Sequence, residues 1–520
     1  MPFLFRRHLL VAALLVPAIA CRGSESTPQR RTLVDSRDIY DPRSLDPALS
    51  TDVPTGRAVS YVFDGLTRFS PDAELHPALA QRWEVSDDGR IYTFHLRQGV
   101  KFHDGAPFRA SDVAHSFERV LRQGGRGWPL YPIHGARAFA DGSAQHIAGL
   151  QVVDDSTVRI RLDTALVVFP KLLAMPVAAI VPDSTPQDFG QHPIGTGPWK
   201  FVTWKHDDYL LFARNPDYWG GAPAMDSLMA RIIPEPSTAV AEFESGNVDF
   251  LFVPEDQTEQ WERTDEKKAR LVSAPALRLW YVAINTTRGP LRDRRVRQAL
   301  NYAVDVKTIL QHVIGGRGRL AAGVVPPSLD GADTTRAPYG YDPAKAKQLL
   351  AQAGYPDGLD LELWEGQDPA FARVAQSIQA YLKQVGVRIH IVQRDNNAVR
   401  EASRKGATDL IIKDWWADYP DAEDFLYPLL HSVNRGVGGN VSFYESAPYD
   451  SLVSLARVTS DDAKRSALYR EADALEFADA PMIYLFFYND LYAVQPWIKG
   501  FEVQRIFYAQ PMTTVSIAPR

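Results

Sequence analysis

The stretch that constrains the fold most is one in which helix patterns alternate with strand patterns. Residues 342–354 begin with Asp-Pro, which caps and opens a helix, and end with glycine, which stops it. A second helix is expected over 371–385, and a glycine breaks it. Over 387–391 apolar and polar residues alternate as in a half-buried strand. Helix followed by strand, repeated, predicts an α/β fold in which helices cover a sheet.

The chain of 520 residues is too long for a single hydrophobic core, so two or more domains are expected. Cys21 is its one cysteine, so no disulfide can form within the chain and apolar burial must stabilise the fold. The formal charge of −6 becomes −8 when Arg6 and Arg7 are removed with a signal segment. A negative chain is a poor partner for nucleic acid.

Residues 1–20 have the pattern of a signal peptide, because a short basic region precedes an apolar run that ends in small residues. Cys21 follows directly, which resembles the lipobox of bacterial lipoproteins and predicts lipidation of Cys21. The alternative is cleavage near Ala20 without lipidation. Residues 21–31 are then the lipidated cysteine and a flexible tether, since their composition cannot form a core. The expected location is the cell envelope, in the periplasm or on the outer face of the cytoplasmic membrane, with a lipid anchor.

A strand-like apolar run at 410–412 changes abruptly into an acidic and aromatic segment. Between 409 and 424 six acidic residues and one lysine are interleaved with Trp415, Trp416 and Tyr419. Carboxylates at the end of a strand offer partners to a cation, and indole rings offer apolar walls or cation–π contacts. We therefore expect the mouth of a binding site here. The alternative is a solvated acidic loop after a core strand.

Several segments resemble family 5 of the extracellular solute-binding proteins, the peptide- and nickel-binding components of ABC importers. The longest is 77–119, which has most positions of the family's signature. Shorter matches lie at 194–199, 214–219, 243–249, 294–305, 341–354 and 418–426. The resemblance covers nearly the whole mature chain.

The resemblance implies an α/β fold, a two-lobe periplasmic-binding-protein-like clamp of the class II type with an extra subdomain inserted in the first lobe. Two apolar runs, Leu279 to Ile284 and Ile483 to Phe487, are the expected crossings between the lobes, around which the clamp closes. The expected parts are a first lobe at 32–275 plus 488–520, an inserted subdomain at about 56–189, and a second lobe at 276–487.

The resemblance also implies how a ligand binds. In peptide-binding relatives an extended ligand pairs through its backbone with strands from both lobes. Asp418 resembles the acid that meets the ligand's α-amino group, and Tyr488 resembles an aromatic residue that lines the cleft. Asp421 is interpreted as a solvated neighbour. The other expected ligand-binding residues are Thr51, Asp52 and Val53 in a first-lobe strand, Trp415, Trp416 and Ala417 in a second-lobe strand, and Tyr419.

No catalytic or metal motif accompanies these segments, since the sequence lacks a GxSxG elbow, an HExxH pair and a Cys/His cluster with zinc spacing. We therefore expect a monomeric binding protein with no cofactor and no metal, and not an enzyme. Its expected function is to capture a dipeptide or oligopeptide between the lobes and deliver it to the permease and ATPase of an ABC importer. Two alternatives stay open. One is the same role with a metal chelate, sugar, opine or antibiotic-like cation, and the other is an extracytoplasmic enzyme or a structural envelope protein.

Overall fold

A computed structural model describes residues 31–38, 40–50, 52–123, 127–186, 188–436, 438–509 and 511–518. The expected signal peptide, Cys21, nearly all of the expected tether, and Thr51 lie outside the described residues. Within the described ranges, no helix has the length and apolar character needed to cross a membrane.

The described strands are β1 Thr32–Asp35, β2 Thr67–Phe69, β3 Leu75–Pro77, β4 Ala80–Val85, β5 Ile91–Leu96, β6 Leu150–Asp154, β7 Thr157–Arg161, β8 Trp199–Lys205, β9 Tyr209–Arg214, β10 Ser227–Arg231, β11 Phe250–Phe252, β12 Leu271–Ile284, β13 Gly318–Leu320, β14 Leu359–Glu365, β15 Val387–Gln393, β16 Leu410–Trp416, β17 Met482–Val494, β18 Ile498–Lys499 and β19 Ser516–Ile517. The described α-helices are α1 Val53–Val62, α2 Ala110–Arg122, α3 Ala136–Ala140, α4 Phe169–Leu172, α5 Pro236–Glu244, α6 Thr258–Glu262, α7 Asp265–Lys268, α8 Arg294–Ala303, α9 Val306–His312, α10 Pro343–Gln352, α11 Pro369–Lys383, α12 Asn396–Arg404, α13 Glu423–Leu430, α14 Ala447–Val458 and α15 Asp462–Asp479.

Helix starts follow the sequence signals. The side chain of Asp342 accepts a hydrogen bond from the backbone of Lys345 at 2.9 Å, and proline follows it in the first turn of α10. Asp368 caps α11 in the same way. The helices expected from sequence are therefore confirmed, with α11 beginning two residues earlier than predicted because its cap is Asp368.

The central sheet joins both halves of the chain. Its strand order is β15-β14-β16-β12-β17-β11-β1-β10-β9-β8, and β13 pairs with β17 beside this path. β12 and β17 are the long middle strands, and they contain the two runs expected to cross between the lobes. Their pairing shifts register between Pro275 and Leu279, so the two strands are irregular midway along the crossing.

A separate apolar core lies on each side of the crossing strands. One core is built only from residues between Trp280 and Tyr488. Another is built from residues between Leu33 and Phe250 together with residues from Ile498 to Ile517. The expected α/β clamp with two lobes is therefore confirmed. The boundaries at 275/276 and 487/488 stay a prediction.

An additional antiparallel sheet, with strand order β4-β5-β7-β6, lies within the range expected for the inserted subdomain. In β5 the side chains of Tyr92, Phe94 and Leu96 are buried and pack in one core with Val113 and Phe117 of α2. Buried and partly buried residues alternate along β5, as in a strand with one face toward the core. The range expected for the inserted subdomain also contains α4, and α4 and the segment before it lie next to the second lobe.

Candidate ligand-binding site

A cavity of about 1160 Å³ lies between the two lobes. The first lobe contributes the start of α1, residues within 163–177, and Phe507 with Tyr508. The second lobe contributes α12, β16 and residues within 418–428. Pockets for drug-sized ligands usually measure about 300–1,000 Å³, so this cavity has room for a ligand of oligopeptide size.

Contacts between the lobes enclose the cavity. The Tyr508 hydroxyl donates to the backbone oxygen of Asp418 at 2.5 Å. The backbone N–H of Val167 donates to the backbone oxygen of Arg457 at 3.2 Å. Trp128 of the inserted subdomain lies with its ring 6.3 Å from that of Tyr419. These contacts join the first lobe to the second around the cavity.

One edge of β16 faces the cavity without a strand partner. β12 pairs with all of β16, from Leu410 to Trp416, on one side. On the other side β14 pairs only with Leu410 and Ile411. Within the described chain no strand continues that pairing along 412–416, and residues 413–416 line the cavity. The edge therefore presents backbone donors and acceptors to whatever occupies the cavity.

Two carboxylates lie at the end of this edge. Asp424 is 1% exposed, and its Oδ2 atom accepts hydrogen bonds from the Asp418 backbone N–H at 2.8 Å and from Trp415 Nε1 at 3.3 Å. Burial, followed by the charge of Asp418, raises the pKa of Asp424 well above its usual value. Among the described residues no cationic side chain forms an ion pair with Asp424. A cation bound here would lower the pKa of Asp424 again and release its proton.

The two acids between Asp418 and Asp424, which are Asp421 and Glu423, are neutralised within the protein. Arg457 Nε donates to Glu423 Oε1 at 2.6 Å, and the Tyr419 hydroxyl also donates to Glu423. Asp421 is buried and contacts both Lys171 and Arg465. The interpretation of Asp421 as a solvated residue is therefore wrong, because a cation on each side makes its burial favourable. Of Asp421, Glu423 and Asp424, Asp424 is the acid for which no ion pair is found within the described chain.

Aromatic rings form the wall beside the edge of β16. Trp415 and Trp416 are half-buried and line the cavity, as expected. The guanidinium of Arg278 lies 4.5 Å from the ring centre of Trp416, and its Nη2 atom lies 2.7 Å from Asp414. These contacts fix the Trp416 indole, whose Nε1 also donates to Asp414 at 2.9 Å.

The first-lobe residues expected to bind ligand differ from the prediction. Asp52 and Val53 line the cavity, but they start a helix instead of forming a strand. The reason is local, because the Asp52 side chain accepts from the Thr55 backbone at 3.0 Å and Pro54 occupies the first turn of α1. Thr51 lies outside the described residues.

Tyr488 and Ala417 do not line the cavity. The Tyr488 ring is fully buried, with its centre 5.6 Å from that of Trp280, and its hydroxyl donates to Glu255 Oε1 at 2.9 Å. The expectation that Tyr488 lines the cleft is therefore wrong, because its side chain is buried in an apolar core of the second lobe. Ala417 is buried and donates its N–H to the backbone of Leu277 at 2.8 Å. Tyr419 lines the cavity next to Asp418.

The structure adds cationic residues that the sequence interpretation missed. Lys413, Arg400 and Arg404 line the cavity on the second-lobe side. The available signals were weak. Lys413 is the one cation in an acidic segment, and the two arginines are four residues apart on one helix. The described residues contain no group of three or more His, Cys, Asp or Glu side chains arranged to hold a metal ion.

Comparison with known proteins agrees with this architecture. Residues 74–436 match the family described as "Bacterial extracellular solute-binding proteins, family 5 Middle". The chain is 32% identical to "Heme-binding protein A" of Haemophilus influenzae, over 95% of each protein. It is also 32% identical to "Glutathione-binding protein GsiB" of Salmonella typhimurium, over 85% of this chain and 86% of that protein.

A solved structure gives the same result. It is the periplasmic binding protein DppA from Helicobacter pylori in complex with the peptide STSA, with a TM-score of 0.80, 28% identity, and coverage of 94% of this chain and 98% of that one. The matched family model and the full-length relatives confirm the family resemblance seen in the sequence. The chain belongs to family 5 of the bacterial extracellular solute-binding proteins, and it is a substrate-binding component of an ABC importer and not an enzyme.

Proposed function

We propose that this protein captures a short peptide in the cavity between its lobes and delivers it to the permease and ATPase of an ABC importer. The peptide lies extended along the open edge of β16, with its α-amino group at Asp418 and Asp424. The residues of both lobes that line the cavity then enclose it when the clamp closes.

The open edge of β16 is the observation that carries this proposal. An unpaired strand edge inside a closed cavity has backbone groups that need partners, and an extended peptide supplies them in register. Trp415 and Trp416 give that peptide an apolar wall. Asp424 gives its ammonium group a buried carboxylate that has no ion-pair partner within the described chain.

The names of the relatives support a peptide as the ligand. They also show that proteins of this family bind varied ligands. One relative is named for dipeptides, one for glutathione and one for heme. The H. pylori structure holds the peptide STSA. A peptide with a free amino end is the ligand that uses both the edge of β16 and the carboxylates beside it.

The same proposal includes the location of the protein. We place the mature protein at the cell envelope, where a lipid on Cys21 keeps it beside its permease. A single acyl chain gives only marginal membrane binding, so stable retention requires more than one chain.

The test of the proposal removes one backbone donor from a peptide and leaves its charge unchanged. Trialanine and a depsipeptide, in which an ester oxygen replaces the peptide N–H of the second alanine, are titrated into the protein by calorimetry. If strand pairing carries affinity, the ester analogue binds roughly tenfold more weakly, since a hydrogen bond contributes about 0.5–1.5 kcal/mol and a lone buried acceptor adds to the loss.

Equal binding of the two compounds contradicts pairing along β16. Binding of neither compound, together with a sugar, opine or chelate found by mass spectrometry in the gently purified protein, favours the non-peptide alternative within the same transport role.

A further inference from the structure

The C-terminal part of the first lobe contacts the backbone of Asp418 in the second lobe. The Tyr508 hydroxyl donates to the backbone oxygen of Asp418 at 2.5 Å. From within the second lobe, Asp424 Oδ2 accepts from the backbone N–H of Asp418 at 2.8 Å. The peptide groups on both sides of the Asp418 Cα atom are therefore held. Because the backbone conformation sets the direction and the rotamers of a side chain, these two hydrogen bonds help to orient the Asp418 carboxylate.

The ring of Tyr508 is fixed by contacts outside the second lobe. Its side chain is buried, and its ring centre lies 6.2 Å from that of Phe69 and 4.8 Å from that of Phe507. Asp418 follows β16 of the second lobe, and both Asp418 and Tyr508 line the cavity. The hydrogen bond therefore joins the two lobes, and opening of the clamp breaks it.

The Tyr508 hydroxyl lies near the carboxylates of Asp418 and Asp424. Burial, followed by the negative charges of Asp418 and Asp424, raises the pKa of Tyr508 well above its usual value. The hydroxyl therefore keeps its proton at neutral pH and remains a donor to the Asp418 backbone. The contact thus lies at the part of the cavity where the ammonium group of a peptide is proposed to bind.

We propose that Tyr508 is a positioning residue for the amino-end contact, because its hydroxyl orients Asp418 toward the ammonium group of a peptide when the clamp closes. This inference rests on the proposed peptide-binding function. In this role Tyr508 acts through Asp418 and not by its own contact with the ligand. Recognition of a free amino end is then coupled to closure, since the open clamp lacks the bond that orients the carboxylate.

A simpler role for Tyr508 makes a different prediction. If its hydrogen bond only holds the lobes together, its loss weakens every enclosed ligand by the same factor. If it orients Asp418, its loss weakens a peptide that has an amino group more than one that lacks it. The ratio of the two affinities therefore separates the two roles.

The test compares trialanine with propanoyl-Ala-Ala, in which hydrogen replaces the amino group of trialanine. Both compounds are titrated by calorimetry, the weaker one in competition with the stronger. Tyr508→Phe keeps the ring contacts and removes only the hydroxyl. It should weaken trialanine roughly 5- to 150-fold, since the Asp418 carbonyl loses a buried donor. It should lower the preference for trialanine over propanoyl-Ala-Ala by at least about threefold.

The same comparison in an Asp418→Asn background shows whether Tyr508 acts through Asp418. In that background Tyr508→Phe should weaken the two compounds equally, because the carboxylate that it orients is absent. A further loss of preference in the double variant overturns the route through Asp418.

Tyr449→Phe is the matched control. Tyr449 is also buried and donates its hydroxyl to a backbone oxygen, that of Leu426 at 2.7 Å, but it does not line the cavity. This variant should keep the full preference for trialanine. A loss of preference in Tyr449→Phe overturns the assignment to Tyr508.

The remaining outcomes separate this inference from the proposed function. Equal weakening of both compounds in Tyr508→Phe, or no weakening of either, overturns this inference alone and leaves peptide capture intact. Equal binding of both compounds to the unaltered protein removes the amino-end contact and this inference with it. Binding of neither compound overturns the proposed function, and this inference with it.

Discussion

The Nζ atom of Lys171 lies 2.7 Å from Oδ2 of Asp421, and the two residues belong to opposite lobes. Lys171 is on α4, within the range expected for the inserted subdomain, and it also donates to the backbone oxygen of Pro420 at 2.9 Å. On its other side Asp421 contacts Arg465 of α15. One buried carboxylate therefore takes part both in the packing of the second lobe and in the closure of the clamp.

Replacing Asp421 with asparagine should lower the free energy of unfolding by about 3–5 kcal/mol at pH 7, because two cations lose their buried partner. Burial acts to raise the pKa of Asp421, but Lys171 and Arg465 outweigh it and hold the pKa below the usual value. A lowered pKa means that this stability is present above about pH 4 and is lost as pH falls through the folded-state pKa. Denaturant unfolding of Asp421→Asn and the unaltered protein at pH 7 and in acid measures both effects. A difference below 1 kcal/mol at pH 7 would contradict the buried network.

Replacing Lys171 with methionine should favour the open clamp, because the ion pair that spans the lobes is lost while Arg465 still holds Asp421. Small-angle scattering should show that saturating trialanine makes the unaltered protein more compact. The ligand-free Lys171→Met protein should be more extended than the ligand-free parent, and trialanine should bind it roughly 5- to 30-fold more weakly. The control is Lys205→Met, whose surface pair with Asp208 lies outside the cavity. Scattering profiles unchanged by saturating ligand would rule out closure.

Replacing Cys21 with alanine should release the mature protein from membranes into the soluble fraction, because the proposed acyl chains can no longer attach. Fractionation of cells that express each form, followed by immunodetection, measures the change. Equal membrane association of the two forms would remove the lipid anchor and leave the fold and the binding site unaffected.

Much of the fold could be predicted from the sequence because its signals are local. The Asp-Pro start of α10 and the alternation in β15 depend on neighbours a few residues away, and both are confirmed. The two lobes were expected from the family resemblance, because no local pattern in the sequence indicates a division into lobes. The acidic and aromatic segment 409–424 was visible in the sequence, and several of its residues line the cavity.

The roles of individual acids could not be predicted, because they depend on residues distant in sequence. Asp421 is paired with a lysine 250 positions away in the chain. Asp424 carries no such partner within the described chain, although it lies only three residues further on. The spacing of acids in a sequence does not show which of them face a cation. The helix that begins after Asp52 is a different case. Its capping residue Asp52 and its first-turn Pro54 are local helix signals in the sequence. The expectation of a strand followed the family resemblance instead of these signals.

The central claim is that the protonated amino end of a peptide binds the carboxylate of Asp418 inside the closed cavity. Enclosing an ammonium group away from water is costly unless a carboxylate accepts its protons. Calorimetry of trialanine and N-acetyl-trialanine with the unaltered protein and with Asp418→Asn tests this directly. Asp360→Asn, at an exposed pair with Arg388 in the second lobe, is the control.

We expect Asp418→Asn to weaken trialanine by roughly 30- to 5,000-fold, which corresponds to about 2–5 kcal/mol for one member of an enclosed charged pair. N-acetyl-trialanine should bind the unaltered protein poorly, and Asp418→Asn should lower its affinity little further. The control Asp360→Asn should bind both peptides as tightly as the unaltered protein does. If Asp418→Asn binds trialanine as tightly as the unaltered protein does, the amino-end contact is wrong and a non-peptide solute becomes the better proposal.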